Sequence, residues 1–183
     1  YFGHPSYYKI DGKPVLMIYD TPAFVNGLGG LENAKKAVAW LREETVKAGF
    51  SGLHLQYCPQ GSNTVNASGV DGSELKIGLK EIIESIGFDS ITNYQFVHMT
   101  NVNRDYLDVL EDVKKLWREI KDEYSVSYFP NVSVGWDNNP RFYGFKPDIC
   151  YNNTPENVEK AFQMARDYLD AHPEVHPLVT VNS

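Results

Sequence analysis

Asp137, Asn138 and Arg141 stand close together in the chain and directly follow Trp136. A carboxylate accepts hydrogen bonds, a carboxamide donates and accepts, a guanidinium donates in a planar fork, and an indole adds a flat apolar face with one N–H. These groups suit a polyhydroxylated ligand, with the aromatic face against C–H surfaces and the polar groups on hydroxyls. They close an alternation in which Val132, Val134 and Trp136 face one way and Ser133, Gly135 and Asp137 the other. That period of two predicts a strand running into a polar loop. In parallel α/β folds this end of a strand lies where loops converge on ligands. The plainer reading stands beside it: Asp-Asn-Asn-Pro is ordinary turn chemistry, Trp136 serves equally well as core, and Asp137 and Arg141 form a natural loop-fixing salt bridge.

Glycoside hydrolysis needs two carboxyl groups, one protonated and one ionised. The strand-end candidates are Asp20 and Asp137, and Asp137 has the better company for ligand contact. Other motifs are missing. No GxGxxG follows a strand and no GxxxxGK[ST] occurs, so nucleotide binding has little support; the absence of GxSxG weakens an esterase reading. Gly27-Leu-Gly-Gly30 reads as a flexible turn. The five histidines form no metal box, and His54 reads as a hydrogen-bonded spacer within a strand. Cys58 and Cys150 have no metal-like spacing and no CxxC partner, and read as buried free thiols.

The elements that must position these groups follow from periodicity. Pro14–Tyr19 is a continuous apolar run of strand length, of the kind buried on both faces of a parallel sheet, preceded by a tight Asp11-Gly12 turn. Leu31, Ala34, Val38, Leu41 and Thr45 recur at helical spacing, with Gly49 as a stop. A second strand covers Phe50–Tyr57, and a long polar loop runs from Pro59 to Gly72. Ser73 is the expected cap of a helix carrying Leu75, Leu79, Ile82, Ile83 and Ile86. The third strand is Phe88–Phe96, followed by a helix with Val109, Val113, Leu116, Trp117 and Ile120 inside. After the strand that ends at Trp136 comes a short piece, Lys146–Tyr151. Thr154-Pro155-Glu156 then starts a helix, and Pro177–Ser183 is the fifth strand. Strand and helix alternate four times and a strand follows, which predicts a parallel sheet with helical crossovers.

Two architectures fit: an open five-stranded parallel α/β sheet, and part of a (β/α)8 barrel with about five β/α units. The polar faces favour the barrel. His54 and Gln56, Thr92 and Tyr94, Ser133 and Asp137, and Thr180 and Asn182 lie towards strand ends, opposite the apolar sets. Apolar helices on both faces of an open sheet would make such polar rows costly, whereas a barrel lumen admits water and ligand.

The 183 residues, 22% charged and 42% hydrophobic, fit a single globular domain, 1–183. A net charge of −7 without a basic cluster argues against nucleic acid. No apolar run reaches membrane-spanning length. The chain opens on Tyr1-Phe2-Gly3 without a methionine, which reads as a processed or cut terminus. Aromatics at 13% hint at sugar-stacking surfaces.

Tyr8–Tyr19, the Gly-Trp-Asp-Asn-Asn-Pro-Arg run at 135–141 and the closing Leu-Val-Thr-Val-Asn-Ser at 178–183 together resemble the WbsX-like proteins, which are similar to glycoside hydrolase family 99, the endo-α-mannosidase type. The resemblance spans nearly the whole chain, and the run at 135–141 is its most specific part. It implies a (β/α)8 barrel acting on glycans, of which this chain is a C-terminal portion holding strands four to eight. In the family the last strand runs into a Trp-Asn-Glu-Trp-type segment whose glutamates do the acid/base work. This sequence stops at Asn182-Ser183, so no catalytic glutamate carries over; Asp137, Asn138 and Arg141 carry over as rim and substrate-site residues.

The expectation is therefore a carbohydrate-active, glycoside hydrolase-like domain, inactive as this fragment, with Tyr57, Tyr94, Trp136, Asp137, Asn138, Arg141 and Asn182 touching an oligosaccharide or polysaccharide. It needs no cofactor and no metal, its open barrel edges invite a second copy, and an extracytoplasmic location suits it. The alternatives are a glycosyltransferase-associated role in polysaccharide assembly and a non-catalytic carbohydrate-binding α/β domain.

Overall fold

The computed structural model describes residues 1–59, 64–68, 74–145 and 149–182. The chain is mixed α/β and divides into two compact units, Tyr1–Ile91 and Thr92–Ser183.

In the first unit, β1 (Lys9–Ile10) and β2 (Lys13–Ile18) form an antiparallel hairpin. Its two turn residues, Asp11 and Gly12, have φ of 51° and 76°, the mirror-image turn that suits strand twist and favours an Asp-Gly pair. β2 pairs in parallel with β3 (His54–Tyr57), and β3 with β6 (Ser90–Ile91). The helices are α1 (Thr21–Gly27), α2 (Leu31–Lys47) and α3 (Leu79–Ile86). Val25, Ala34, Val38, Leu53, Leu55, Ile82 and Ile83 are buried between helices and strands, and removing such side chains from water is what stabilises the layers.

Three expectations change here. The stretch read as a loop between Pro59 and Gly72 contains β4 (Thr64–Ser68), which pairs antiparallel with β5 (Glu74–Gly78). Its alternation is of small and polar residues, too weak a period to read as a strand. Leu75 therefore lies in a strand, and α3 starts four residues later, after Gly78; Ser73 lies outside the described residues. β2 is only partly buried, with Met17 43% exposed.

Arg42 ties the first unit together. Its guanidinium donates to Leu53 O at 2.7 Å, Gly87 O at 2.6 Å and Asp89 Oδ2 at 2.8 Å. Asp89 Oδ2 in turn accepts from Leu55 N at 2.8 Å. One side chain on α2 thus joins the start of β3 to the turn after α3. Within the sheet, His54 Nε2 lies 2.7 Å from Ser90 Oγ, and Gln56 Nε2 donates to the same hydroxyl at 3.3 Å.

The second unit contains α4 (Tyr106–Glu123), β7 (Ser127–Tyr128), β8 (Asn131–Ser133), α5 (Pro155–Ala171) and β9 (Thr180–Asn182). β8 and β9 are parallel, with Asn131, Val132 and Ser133 opposite Thr180, Val181 and Asn182. Both long helices are capped by side chains. Asp105 Oδ1 accepts from Leu107 N at 2.9 Å, and Thr154 Oγ1 from Asn157 N at 3.4 Å, satisfying amides that the first turn leaves open. Trp117, Tyr128 and Tyr168 pack edge to face between α4, β7 and α5, with centroids 5.8–6.3 Å apart.

The third and fourth strands are shorter than their sequence periods. The third is Ser90–Ile91, and Phe96–His98 is a 3-10 turn. The fourth ends at Ser133, after which Val134 to Trp136 lie outside any strand. The expected piece at Lys146–Tyr151 appears as two isolated bridges, Asp137–Ile149 and Asp105–Tyr151, with residues 146–148 outside the described residues.

Candidate functional site

β8 and β9 are held in register by buried polar side chains as well as by their backbones. Thr92 Oγ1 lies 2.6 Å from Thr180 Oγ1, and Asn131 Nδ2 donates to Thr180 Oγ1 at 3.1 Å. Ser133 is 2% exposed. Its Oγ accepts from Phe96 N at 2.9 Å and has two acceptors in reach, Asn182 Oδ1 at 3.0 Å and Asn131 Oδ1 at 3.2 Å. Tyr106 OH donates to Ser133 O at 2.6 Å, and Tyr128 OH to Asn93 Oδ1 at 2.5 Å. Burying this many polar groups is tolerable only because they satisfy one another.

Beyond Ser133 the chain opens a cavity of about 440 Å³ lined by Gln95, Trp136, Asp137, Arg141, Cys150 and Asn153, among others. Val134 N still donates to Asn182 O at 3.1 Å, and Cys150 N to Trp136 O at 3.0 Å. Gly135 is required by close approach. A Cβ there would sit 2.2 Å from Asn153 Nδ2, which donates to Val134 O at 2.8 Å. Asp137 Oδ1 accepts from Asn139 N at 2.8 Å and Asn139 Nδ2 at 2.7 Å. Those bonds hold its carboxyl below the usual range, backbone bond first, so it is ionised at neutral pH.

Asp137 and Arg141 do not salt-bridge; among the described residues neither makes an ion pair. The Asp137 carboxylate turns to Asn139, while Arg141 lies over Trp136, 5.5 Å from the ring centroid, a cation–π distance. Arg141 ends a 3-10 turn, Asn139–Arg141, opened by Pro140. Three buried polar atoms here have no protein partner: Gln95 Oε1, Trp136 Nε1 and Asn138 Oδ1. Unpaired buried donors and acceptors cost free energy, and clusters of them are where a ligand or ordered water is accommodated.

Trp136, Asp137 and Arg141 thus come together as the sequence pattern implies, with Asn138 beside them. Tyr94 joins at the edge: its ring is 5.5 Å from His98, and His98 is 6.4 Å from Trp136. Burial lowers the His98 pKa, so the ring is neutral at pH 7. Asn182 is at the end of β9, held by Ser133. Tyr57 belongs to the first unit, 3% exposed and edge-on to Phe88, its phenol pushed up to about 12 by burial. Asp20 is the N-cap of α1, accepting from Ala23 N at 2.8 Å. Among the described residues lining the cavity, Asp137 is the one carboxylate. Gln95, Cys150 and Asn153 carried no signal as lining residues, because Gln95 comes from the segment before Phe96–His98 and the other two from the segment leading into α5. Both cysteines are free and buried, as expected, and burial pushes the thiols up, Cys58 to about 12 and Cys150 to about 11.

Among the described residues no cluster of His, Cys, Asp or Glu has metal-site geometry, and no helix is long and apolar enough to cross a membrane. A second cavity, about 320 Å³, lies between α4 and α5 and is lined by Trp117, Met164 and Tyr168 among others; it has no lining residue in common with the cavity beyond β8.

The chain is mixed α/β, with an aromatic and polar cavity beyond the C-terminal end of a parallel strand. Residues 1–183 match the family described as Glycosyltransferase WbsX, and the chain belongs to that family. It is also similar to Sphingomyelin synthase-related 1 of Caenorhabditis elegans, 26% identical over 108 residues, covering 56% of this chain and 22% of that protein. The chain thus spans about a fifth of the length of that curated relative. No solved structure matches the chain.

Proposed function

We propose that the chain contributes the glycan-binding wall of a carbohydrate-active site, as β/α units of a (β/α)8 barrel of the glycoside hydrolase family 99 type. The observation that carries this is the cavity beyond β8, where Trp136, Asp137 and Arg141 meet beside three polar atoms without partners. Hydroxyl groups both donate and accept, and so serve Gln95 Oε1, Asn138 Oδ1 and the Trp136 N–H alike. The polar rows of each unit, buried His54–Gln56–Ser90 and buried Thr92–Asn131–Ser133 with half-buried Thr180, support a lumen in place of a helix-covered sheet face.

The parent reaction in this reading is glycosidic hydrolysis. Asp137, ionised and hydrogen-bonded, holds sugar hydroxyls, and the acid and base come from carboxyl groups beyond the described cavity lining. The family's description favours a second reading, a glycosyl transfer step in polysaccharide assembly, which a requirement for a sugar nucleotide distinguishes. The partly exposed β2, with Met17 at 43%, and Tyr19 just after it at 44%, suit coverage by a second copy, read out by solution scattering.

Titrating the protein with manno-oligosaccharides and related glycans, by calorimetry, tests the site. Saturable binding that falls at least ten-fold in Trp136→Ala, and falls also in the milder Asp137→Asn, is expected. Binding unchanged in both folded variants overturns the assignment.

A further inference from the structure

Resting on the glycan-binding reading, we infer that the cavity beyond β8 selects acidic sugars, with Arg141 receiving the carboxylate of a uronic acid residue. Among the described residues lining the cavity there is one anion, Asp137, and one cation, Arg141, and they do not pair with each other. Asp137 Oδ1 is engaged twice by Asn139, at 2.8 and 2.7 Å. Arg141 makes no ion pair among the described residues, and no side-chain hydrogen bond of its guanidinium is formed there. Its one close partner is the Trp136 ring, 5.5 Å from centroid to Cζ. The indole holds the guanidinium at a cation–π distance without using up its N–H groups. A guanidinium edge matches a carboxylate with two parallel hydrogen bonds, a geometry a hydroxyl cannot reproduce. Among the other described groups, the Trp136 N–H, which has no partner, can add one hydrogen bond to that carboxylate. Gln95 Oε1 in the lining and Asn138 Oδ1 beside it are acceptors without partners, suited to sugar hydroxyls, and the Cys150 thiol, pushed up to about 11 by burial, stays neutral.

The discriminating experiment uses pairs of ligands that differ only at the acid. Oligogalacturonate, oligomannuronate and oligoglucuronate are each titrated as the free acid and as the methyl ester, with neutral manno-oligosaccharides alongside. The expected result is free-acid binding roughly five- to twenty-fold tighter than the ester for at least one pair, weakening as NaCl is raised. In Arg141→Gln the acid-to-ester ratio falls towards one, and in Arg141→Lys part of it and the salt dependence are retained. Equal affinity for acid and ester, tighter binding of the ester, or binding of neutral glycans alone overturns the acidic preference and leaves the glycan reading standing. Binding of none of these ligands by the folded protein overturns both.

Discussion

Replacing Ser133 by alanine removes the one hydroxyl through which β8, β9 and the turn at Phe96 communicate. Its Oγ accepts from Phe96 N at 2.9 Å and donates towards Asn182 Oδ1 at 3.0 Å, with the residue 2% exposed. The loss has two parts. A hydrogen bond that disappears with its partner costs about 1 kcal/mol net, and a buried amide left without an acceptor costs roughly 1–3 kcal/mol more. The sum, about 2–4 kcal/mol, is a large part of the roughly 5–15 kcal/mol that holds a domain folded. Urea unfolding of wild type and Ser133→Ala, followed by tryptophan fluorescence, measures it. With a slope of roughly 2 kcal/mol per molar, the midpoint should fall by about 1–2 M at unchanged slope. Asn182 loses its tether in the same variant, so glycan affinity should fall together with stability. A midpoint shift below about 0.3 M would refute the reasoning, since it would mean that Phe96 N–H and Asn182 find solvent without penalty.

Asn139→Ala removes the side-chain hydrogen bond to Asp137 and keeps the backbone one, which is the larger cause of the depression, so the carboxyl should return only part of the way towards its ordinary value of 3.8; a carboxyl NMR titration reads the change. Because that folded-state pKa is depressed, the stabilisation is present above the ordinary value and is lost as pH falls through the depressed one, so wild type and variant should differ in acid unfolding near and below pH 3.8. Cys58 and Cys150, pushed up to about 12 and 11, should resist a disulfide reagent at pH 8 until urea unfolds the chain; rapid labelling of native protein would contradict their burial. Arg42→Ala removes three hydrogen bonds from a half-buried guanidinium and, allowing for solvent screening, should cost roughly 2–3 kcal/mol in urea unfolding. Arg42→Lys should recover less than half of that, because an ammonium cannot reach three divergent acceptors.

The long helices α2, α4 and α5 were legible because their signals are local, whereas the short α1, Thr21–Gly27, was read as loop. Thr154-Pro155 sets the start of α5, and the buried positions of α4 repeat at helical spacing. The pair β4 and β5 was not legible: in Thr64 to Ser68 only Val65 and Ala67 alternate with polar residues, and the pairing that makes it a strand is with Glu74 to Gly78. Strand ends were overrun for a related reason. Val134 and Trp136 continue the period of Val132, but pairing with β9 ends at Asn182, so the pattern outlasts the ladder. At the candidate site, Trp136, Asp137 and Arg141 lie in one contiguous run, whereas Gln95, Cys150 and Asn153 reach the cavity from outside it. The Asp137–Arg141 pair shows the limit of spacing arguments. Four residues apart, they have the right charges to bond, yet Asn139 is nearer to the carboxylate and Trp136 offers the guanidinium a face. Arg42, whose partners are the Leu53 and Gly87 carbonyls and the Asp89 carboxylate, had no sequence signal at all.

The most direct test of the account is the indole N–H resonance of Trp136, whose donor has no protein partner. Titrating isotopically labelled protein with neutral and acidic oligosaccharides should shift that resonance, and the amides of Asn138 and Arg141, in a saturable manner. A ligand that saturates while Trp136 stays unmoved, or that shifts only the residues between α4 and α5, would contradict the assignment of the cavity beyond β8 as the glycan site.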